Sequence, residues 1–353
     1  PGEMMRYHSE IIVSRGILPS DKLFVDSGTA ILNKKYRQKS RNTDYSAYLH
    51  PRWWPTWVGI ALMWFTAQLP LRIQWKLGKA AGLITWKLAK SRRHITETNI
   101  QLCFPEYNDK QRAALVRNSF IANGIGLMEI GIGWFRNTEK LKKITSIHGL
   151  EHFEKAKQEG HGILLIGGHY STLEMGGSLA TLYIDSDVMQ RDHNNPLMNA
   201  VMTRSRAKRY GKVLAAKDLR GLLRSLKDNH AVWYATDQDY GRKDIVFAPF
   251  FGVPAGTITA TSRIAERSKC VVMPFSHFRR EDKPGYDIYF HPPLEHFPSG
   301  DDLEDATRIN AVIENEIRKA PDQYLWMHRR FKTRPNPEDP GFYNKKRRKR
   351  SRR

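Results

Sequence analysis

Between residues 162 and 275 the chain repeats one pattern, in which short apolar runs alternate with helical stretches. GILLIG (Gly162–Gly167) precedes a helical stretch at 172–183, and DVMQ (Asp187–Gln190) precedes one at 196–208. Leu219–Leu226 leads into AVWYA (Ala231–Ala235), and Ile258–Arg267 into CVVMPF (Cys270–Phe275). Apolar runs of this length that do not alternate in polarity fit strands buried on both faces, and the helices between them supply the crossovers that parallel strands need. The expected fold class is α/β, a mainly parallel sheet flanked by helices. Tyr286–Phe290 reads as a further strand, at an edge, and Asp301–Lys319 as a closing helix. Upstream, Asp109 is the expected cap of a long helix through Leu115, Phe120 and Leu127.

In open α/β sheets ligands gather at the carboxyl ends of the strands, so the residues just past each run carry the chemistry. His169 follows GILLIG, and Glu174 lies in the first turn of the next helix. From the loop before that helix His169 can meet Glu174, which would fix the imidazole tautomer and leave the other nitrogen facing a cleft as a general base. The backbone N–H groups near Ser171, at the helix start, are candidate donors to a developing oxyanion. Arg191 follows DVMQ and suits a phosphate or carboxylate. Asp237 and Asp239 follow AVWYA, where they could orient substrate, cap the turn or, least of all, hold Mg²⁺. A basic cluster near the end, with His328, Arg329, Arg330, Lys332 and Arg334, is either a surface helix end or a grip for lipid phosphate or a partner protein. No GxGxxG, GxxxxGK[ST] or GxSxG occurs, so nicotinamide, P-loop and serine-hydrolase readings lose.

Charge narrows the partners. Lys and Arg number 58 against 36 Asp and Glu, a net charge of +22. Eight of these cations lie in 345–353, and subtracting them still leaves +14. Such a surface attracts anions: nucleic acid, lipid headgroups or an acidic protein. No RRM, KH or helix-turn-helix signature accompanies it, and the aromatics do not interleave with the cations, so nucleic acid is the weakest of the three. Two cysteines, Cys103 and Cys270, stand outside any CxxC or Cys/His cluster, so neither a disulfide framework nor a zinc site is expected.

The aromatics gather elsewhere. From Trp53 to Leu71 (WWPTWVGIALMWFTAQLPL) no residue is charged; Trp53, Trp54, Trp57 and Trp64 lie in this run, and Trp75 and Trp86 follow it. A membrane anchor fits this stretch, but Pro55 and Pro70 shorten its helix, so a tilted span and an interfacial anchor both stay open. The segment from Ile73 to Lys90 reads as an amphipathic helix lying along headgroups or packed on the core. Four regions follow: a basic, loosely ordered extension (1–43), an anchor with an interfacial helix (44–95), a catalytic α/β domain (96–340) and a polybasic tail (341–353).

Taken together, the His169–Glu174 HxxxxE block, HPRWWPTW (His50–Trp57), NIQLCFPE (Asn99–Glu106), GLMEIGIGWF (Gly126–Phe135), WYATDQDYG (Trp233–Gly241) and QYLWMHRRFKTRP (Gln323–Pro335) resemble the Gram-negative lipid A late acyltransferases of the lauroyltransferase type. The similarity runs from about His50 to Pro335. It implies a glycerolipid acyltransferase-like fold behind an N-terminal hydrophobic anchor helix, at the cytoplasmic face of the inner membrane. The implied reaction moves a fatty acyl chain, laurate in this type, from acyl carrier protein to a hydroxyacyl chain of a Kdo-bearing, tetraacylated lipid A precursor. The resemblance implies His169 as base, Glu174 as its orienter, Arg191, Asp237 and Asp239 at the substrate, and neither metal nor other cofactor. The expected partners are acyl carrier protein, the lipid A precursor and anionic inner-membrane lipids. Myristoyl or palmitoleoyl transfer, or another glycolipid acceptor, are the alternatives.

Overall fold

The computed structural model describes residues 44–344, so the expected extension 1–43 and the basic run 345–353 lie outside the described residues. Its strands are β1 (Thr145–His148), β2 (Ile163–Gly167), β3 (Ser186–Gln190), β4 (Val213–Ala215), β5 (Ala231–Ala235), β6 (Ile245–Phe250), β7 (Val253–Ile258), β8 (Val271–Arg279) and β9 (Tyr286–Phe290). Its helices are α1 (Trp54–Gln68), α2 (Leu71–Leu88), α3 (Lys90–Cys103), α4 (Asp109–Phe135), α5 (Leu150–Gln158), α6 (Leu173–Ala180), α7 (Pro196–Arg206), α8 (Leu219–Lys227), α9 (Ala260–Ser268) and α10 (Asp302–Lys319).

Seven strands form one sheet in the order β1-β9-β8-β2-β5-β3-β4, and only the β8–β9 pairing is antiparallel. The expected α/β class holds. β2 is buried throughout and divides its side chains between two cores. Leu164 and Ile166 join Leu222, Ile264 and Ile313 of α8, α9 and α10, while Ile163 and Leu165 join Phe153, Met175 and Leu179 of α5 and α6. Apolar residues on both faces are what a strand between two helical layers requires. Two local readings are corrected. β9 lies between β1 and β8 and not at an edge, because β1 adds beyond it. Asn108, not Asp109, caps α4: its side chain accepts from Gln111 N–H while the Gln111 side chain accepts from its own, a reciprocal capping box.

The anchor segment is also revised. α1 has 15 residues, about 22 Å at 1.5 Å per residue, against a hydrocarbon core of about 30 Å. Leu69 is extended ahead of Pro70, whose missing N–H and steric demand stop the helix there. Among the described residues no helix is long and apolar enough to cross a membrane, so the transmembrane reading of this segment is not sustained. α1 buries Ile60 and Ala67 but exposes Trp54, Val58, Leu62, Trp64 and Phe65, and α2 adds Ile73, Leu77, Ile84 and Leu88 to the exposed apolar surface.

Opposite that surface α2 lies against α4 on glycines. A Cβ at Gly82 would stand 2.4 Å from Phe120 O, and one at Gly124 would stand 2.3 Å from Gly78 O. Deeper in, Glu129 of α4 accepts two hydrogen bonds from Arg279 (2.7 and 2.6 Å) and one from Tyr286 (2.7 Å), fastening α4 to β8 and β9. Gly82→Val therefore forces backbones apart and is expected to cost about 2–3 kcal/mol. Gly59, mid-helix in α1 with nothing within 4 Å of an added Cβ, is expected to gain about 0.5–1 kcal/mol as Ala. Thermal unfolding of both variants in detergent checks the contrast.

Candidate active site

Parallel pairing of β2 with β5 sets Gly167 opposite Ala235. Two residues beyond each end, His169 and Asp237 meet. The Asp237 carboxylate accepts from the His169 backbone N–H (Oδ2, 2.8 Å) and stands 2.6 Å from Nδ1 through Oδ1. A carboxylate only accepts, so the Nδ1 proton lies between them and Nε2 of the neutral ring is left as an acceptor. Burial works against charge on the imidazole, but the Asp237 charge and hydrogen bond outweigh it and raise the His169 pKa. Asp237 is 1% exposed, and burial alone would raise its carboxyl. The His169 charge and hydrogen bonds, with a further one from the Tyr324 hydroxyl, instead hold it at about 2.

Linkage gives each partner its own pH window. The raised His169 contributes stability that is full below the ordinary histidine range and lost as pH rises through its folded pKa. The depressed Asp237 contributes stability present above the ordinary carboxylate range and lost as pH falls towards about 2.

The C-terminal segment braces this pair. Leu325 N–H donates to His169 O (2.9 Å), Ser171 N–H donates to Gln323 O (2.7 Å), and Tyr170 bridges to Tyr324. The Ser171 N–H is thereby engaged, and Leu173 N–H donates to Tyr170 O, so these two amides at the helix start are held by the protein itself. Tyr324 carried no signal of its own beyond its place in QYLWMHRR.

Glu174 does not reach the imidazole. It forms an ion pair with Arg206 of α7, and its Oε2 accepts from Trp134 Nε1 at 3.0 Å. The expected His169–Glu174 contact is replaced by His169–Asp237 because adjacent strand ends deliver Asp237 to the ring, while α6 presents Glu174 to a buried guanidinium. Arg206 and Trp134 lie far from the block in sequence, and no spacing pointed to them. With Leu165, Tyr210, Trp233, Phe275 and His277, Glu174 and Arg206 line a narrow cavity of about 30 Å³. Burial depresses His277 to about 4, which leaves it neutral beside Thr172.

A cleft of about 380 Å³ opens over His169, lined among others by Arg191, Trp233, Tyr240 and Lys243. The Trp233 ring meets the His169 ring edge-on at 6.1 Å. Arg191 and Lys243 are exposed at this cleft, where an anionic group can meet them. Two other residues expected at the substrate have partners within the protein. Asp239 accepts from Thr333 N–H (2.7 Å), Thr333 Oγ1 (2.8 Å) and Gly241 N–H (2.9 Å), so it ties the turn after β5 to the C-terminal segment. Arg330 is 2% exposed, donates to Gly256 O (2.6 Å) and Thr257 Oγ1 (2.9 Å), and lies over the Phe250 ring, which makes it a clamp on the β6–β7 hairpin and not a grip on lipid. Arg329 stays at the surface, 6.0 Å from the Tyr343 ring.

Comparison with known proteins gives a consistent result. The sequence profile of the family described as bacterial lipid A biosynthesis acyltransferase matches residues 43–333. The chain is 39% identical over 292 residues to the lipid A biosynthesis lauroyltransferase of Escherichia coli K12, covering 82% of this chain and 95% of that protein. It is 37% identical over 289 residues to the palmitoleoyltransferase of the same organism, covering 82% and 94%. The corresponding myristoyltransferase is 25% identical over 303 residues, covering 84% and 94%.

In NMR titrations of histidine-labelled protein, Asp237→Asn is expected to lower the pKa of His169, since it removes the neighbouring charge. Glu174→Gln is expected to leave that titration in place; a shift of equal size in both variants would contradict the pairing described here.

Proposed function

The chain belongs to the bacterial lipid A biosynthesis acyltransferase family, and from that premise we propose that it transfers laurate from acyl carrier protein to a hydroxyacyl chain of a Kdo-bearing, tetraacylated lipid A precursor. The observation that carries the mechanism is the His169–Asp237 pair at the foot of a cation-flanked cleft. Nε2 takes the proton of the acceptor hydroxyl as its oxygen attacks the thioester carbonyl. The C–O bond forms, the C–S bond breaks as the tetrahedral intermediate collapses, and the imidazolium returns its proton to the departing thiolate. Asp237 holds the ring in the tautomer that keeps Nε2 free and stabilises the imidazolium between those steps. Acyl transfer is direct, without an acyl-enzyme, and calls on neither metal nor other cofactor. Arg191 and Lys243 meet a phosphate or carboxylate of the lipid.

Glu174 and Arg206 act indirectly in this reading. Their ion pair fixes the start of α6 against α7, beside the narrow cavity that shares Trp233 with the cleft. The reading places the chain at the cytoplasmic face of the inner membrane, and membrane association itself is supported by the apolar surface of α1 and α2. Its exposed tryptophans, leucines and isoleucines stand among the exposed cations Arg52, Arg72, Lys76, Lys79 and Lys87, the composition of a segment lying in an anionic headgroup layer.

Relatives of near-equal identity are named for laurate and for palmitoleate, so both donors enter the decisive experiment. Membranes carrying the chain are incubated with lauroyl- or palmitoleoyl-acyl carrier protein and the Kdo-bearing precursor, and the lipid is weighed by mass spectrometry. A laurate-sized gain is expected, reduced about 10²- to 10⁴-fold in His169→Ala. A palmitoleate-sized gain alone would move the chain length, and no gain with either would remove this acceptor.

The membrane reading has a separate test. Trp54→Glu with Phe65→Glu changes two exposed side chains and is expected to weaken co-sedimentation with anionic vesicles about tenfold, with the fold retained.

A further inference from the structure

α8 follows β4, so it starts on the side of the sheet where the parallel strands end and the cleft opens. Ala216, just ahead of it, lines that cleft together with Arg191 and Lys243. Asp218 caps the helix, its carboxylate accepting the Gly221 N–H at 2.8 Å. Inward, Leu222, Ser225 and Leu226 are buried against the sheet. Outward, Arg220, Arg224 and Lys227 stand at i, i+4 and i+7, a single line of cations along the exposed side, with Lys217 before them. None of these four has an acidic partner among the described residues. Leu219, 44% exposed, places an apolar side chain at the cleft end of that line.

We propose that this face of α8 docks the acyl carrier protein, an acidic helical partner whose carboxylates lie along the Arg220–Arg224–Lys227 line while its acyl thioester enters the cleft past Leu219 and Ala216. The assignment rests on the carrier-protein donor of the proposed function. Three observations select a protein over a lipid surface as the occupant. The cations form one ordered row and not a diffuse patch; the row ends at the cleft that holds His169; and α8 packs with α9 in one core while the exposed apolar surface is built on α1 and α2. Complementary charge across such a contact speeds encounter and fixes register, and truncating or reversing it weakens capture without touching the chemical step. Any reversal therefore acts on KM for the carrier and leaves kcat alone.

The test uses the full chain in membranes, with lauroyl-acyl carrier protein varied at fixed lipid precursor and then the reverse. Arg220→Glu with Arg224→Glu is expected to raise KM for the carrier about tenfold or more, with kcat within about twofold and KM for the lipid unchanged. The Arg220→Lys, Arg224→Lys variant, which keeps charge, is expected to stay near wild type, and added salt is expected to narrow the gap between wild type and the reversed variant. An unchanged KM for the carrier overturns the proposal. A raised KM for the lipid precursor, or weaker vesicle binding, with the carrier unaffected also overturns it and gives this face to the lipid. If the wild-type chain itself spends lauroyl-coenzyme A and ignores the carrier, the donor reading fails, and this surface with it; that result is visible before any variant is made.

Discussion

Asp237 closes the gap between two strands. Its carboxylate receives both the backbone N–H and the ring Nδ1 of His169, so one buried group fixes the position of a residue on the neighbouring strand exit as well as its tautomer. That geometry depends on register. β2 and β5 are paired without a bulge from Ile163 and Ala231 to Gly167 and Ala235, and the two functional residues lie equally far beyond the last pair. A one-residue slip would turn every β2 side chain to the opposite core and part the imidazole from its carboxylate. The dry, two-sided packing of β2 and the chemistry above it thus share one cause.

The central sheet was legible because its strands are uninterrupted apolar runs between helices, a pattern with few other solutions. What escaped was local and short. β4 has three residues, and the β6–β7 hairpin carries Pro249 and Pro254 opposite each other, which disguises it as loop. Asn108 and Asp109 are both good caps, and Gln111 three residues past Asn108 was the clue that chose between them. At the site, His169 and Asp237 could each be found from their places after strands. That they bond to each other could not, since distance along the chain says nothing of sheet register. Glu174 looked like the partner because it is near in sequence; its true partner, Arg206, comes from another helix. Asp239 and Arg330 belong to classes that usually serve at surfaces, and here their hydrogen bonds tie the C-terminal segment to the turn after β5 and to the β6–β7 hairpin, contacts that exist only once the chain has closed.

Surface chemistry divides along the same layers. The helices before the sheet, α1 and α2, turn apolar residues outward and hold on by glycines that let α2 lie against the α4 backbone. Close backbone approach leaves the outer sides of these helices free of core duty. α8, which follows β4, buries its leucines and turns cations outward beside the cleft.

The segment around Gln323–Arg334 comes after every strand of the sheet, yet it touches nearly everything that matters to the site. Tyr324 bonds to Asp237, Leu325 to the His169 carbonyl, Thr333 to Asp239, and Arg330 to the hairpin. During synthesis, strands β2 and β5 emerge long before this strap does. His169 and Asp237 therefore stay without the brace behind them until the chain has been made through this segment, and the sheet alone does not seat the pair as described.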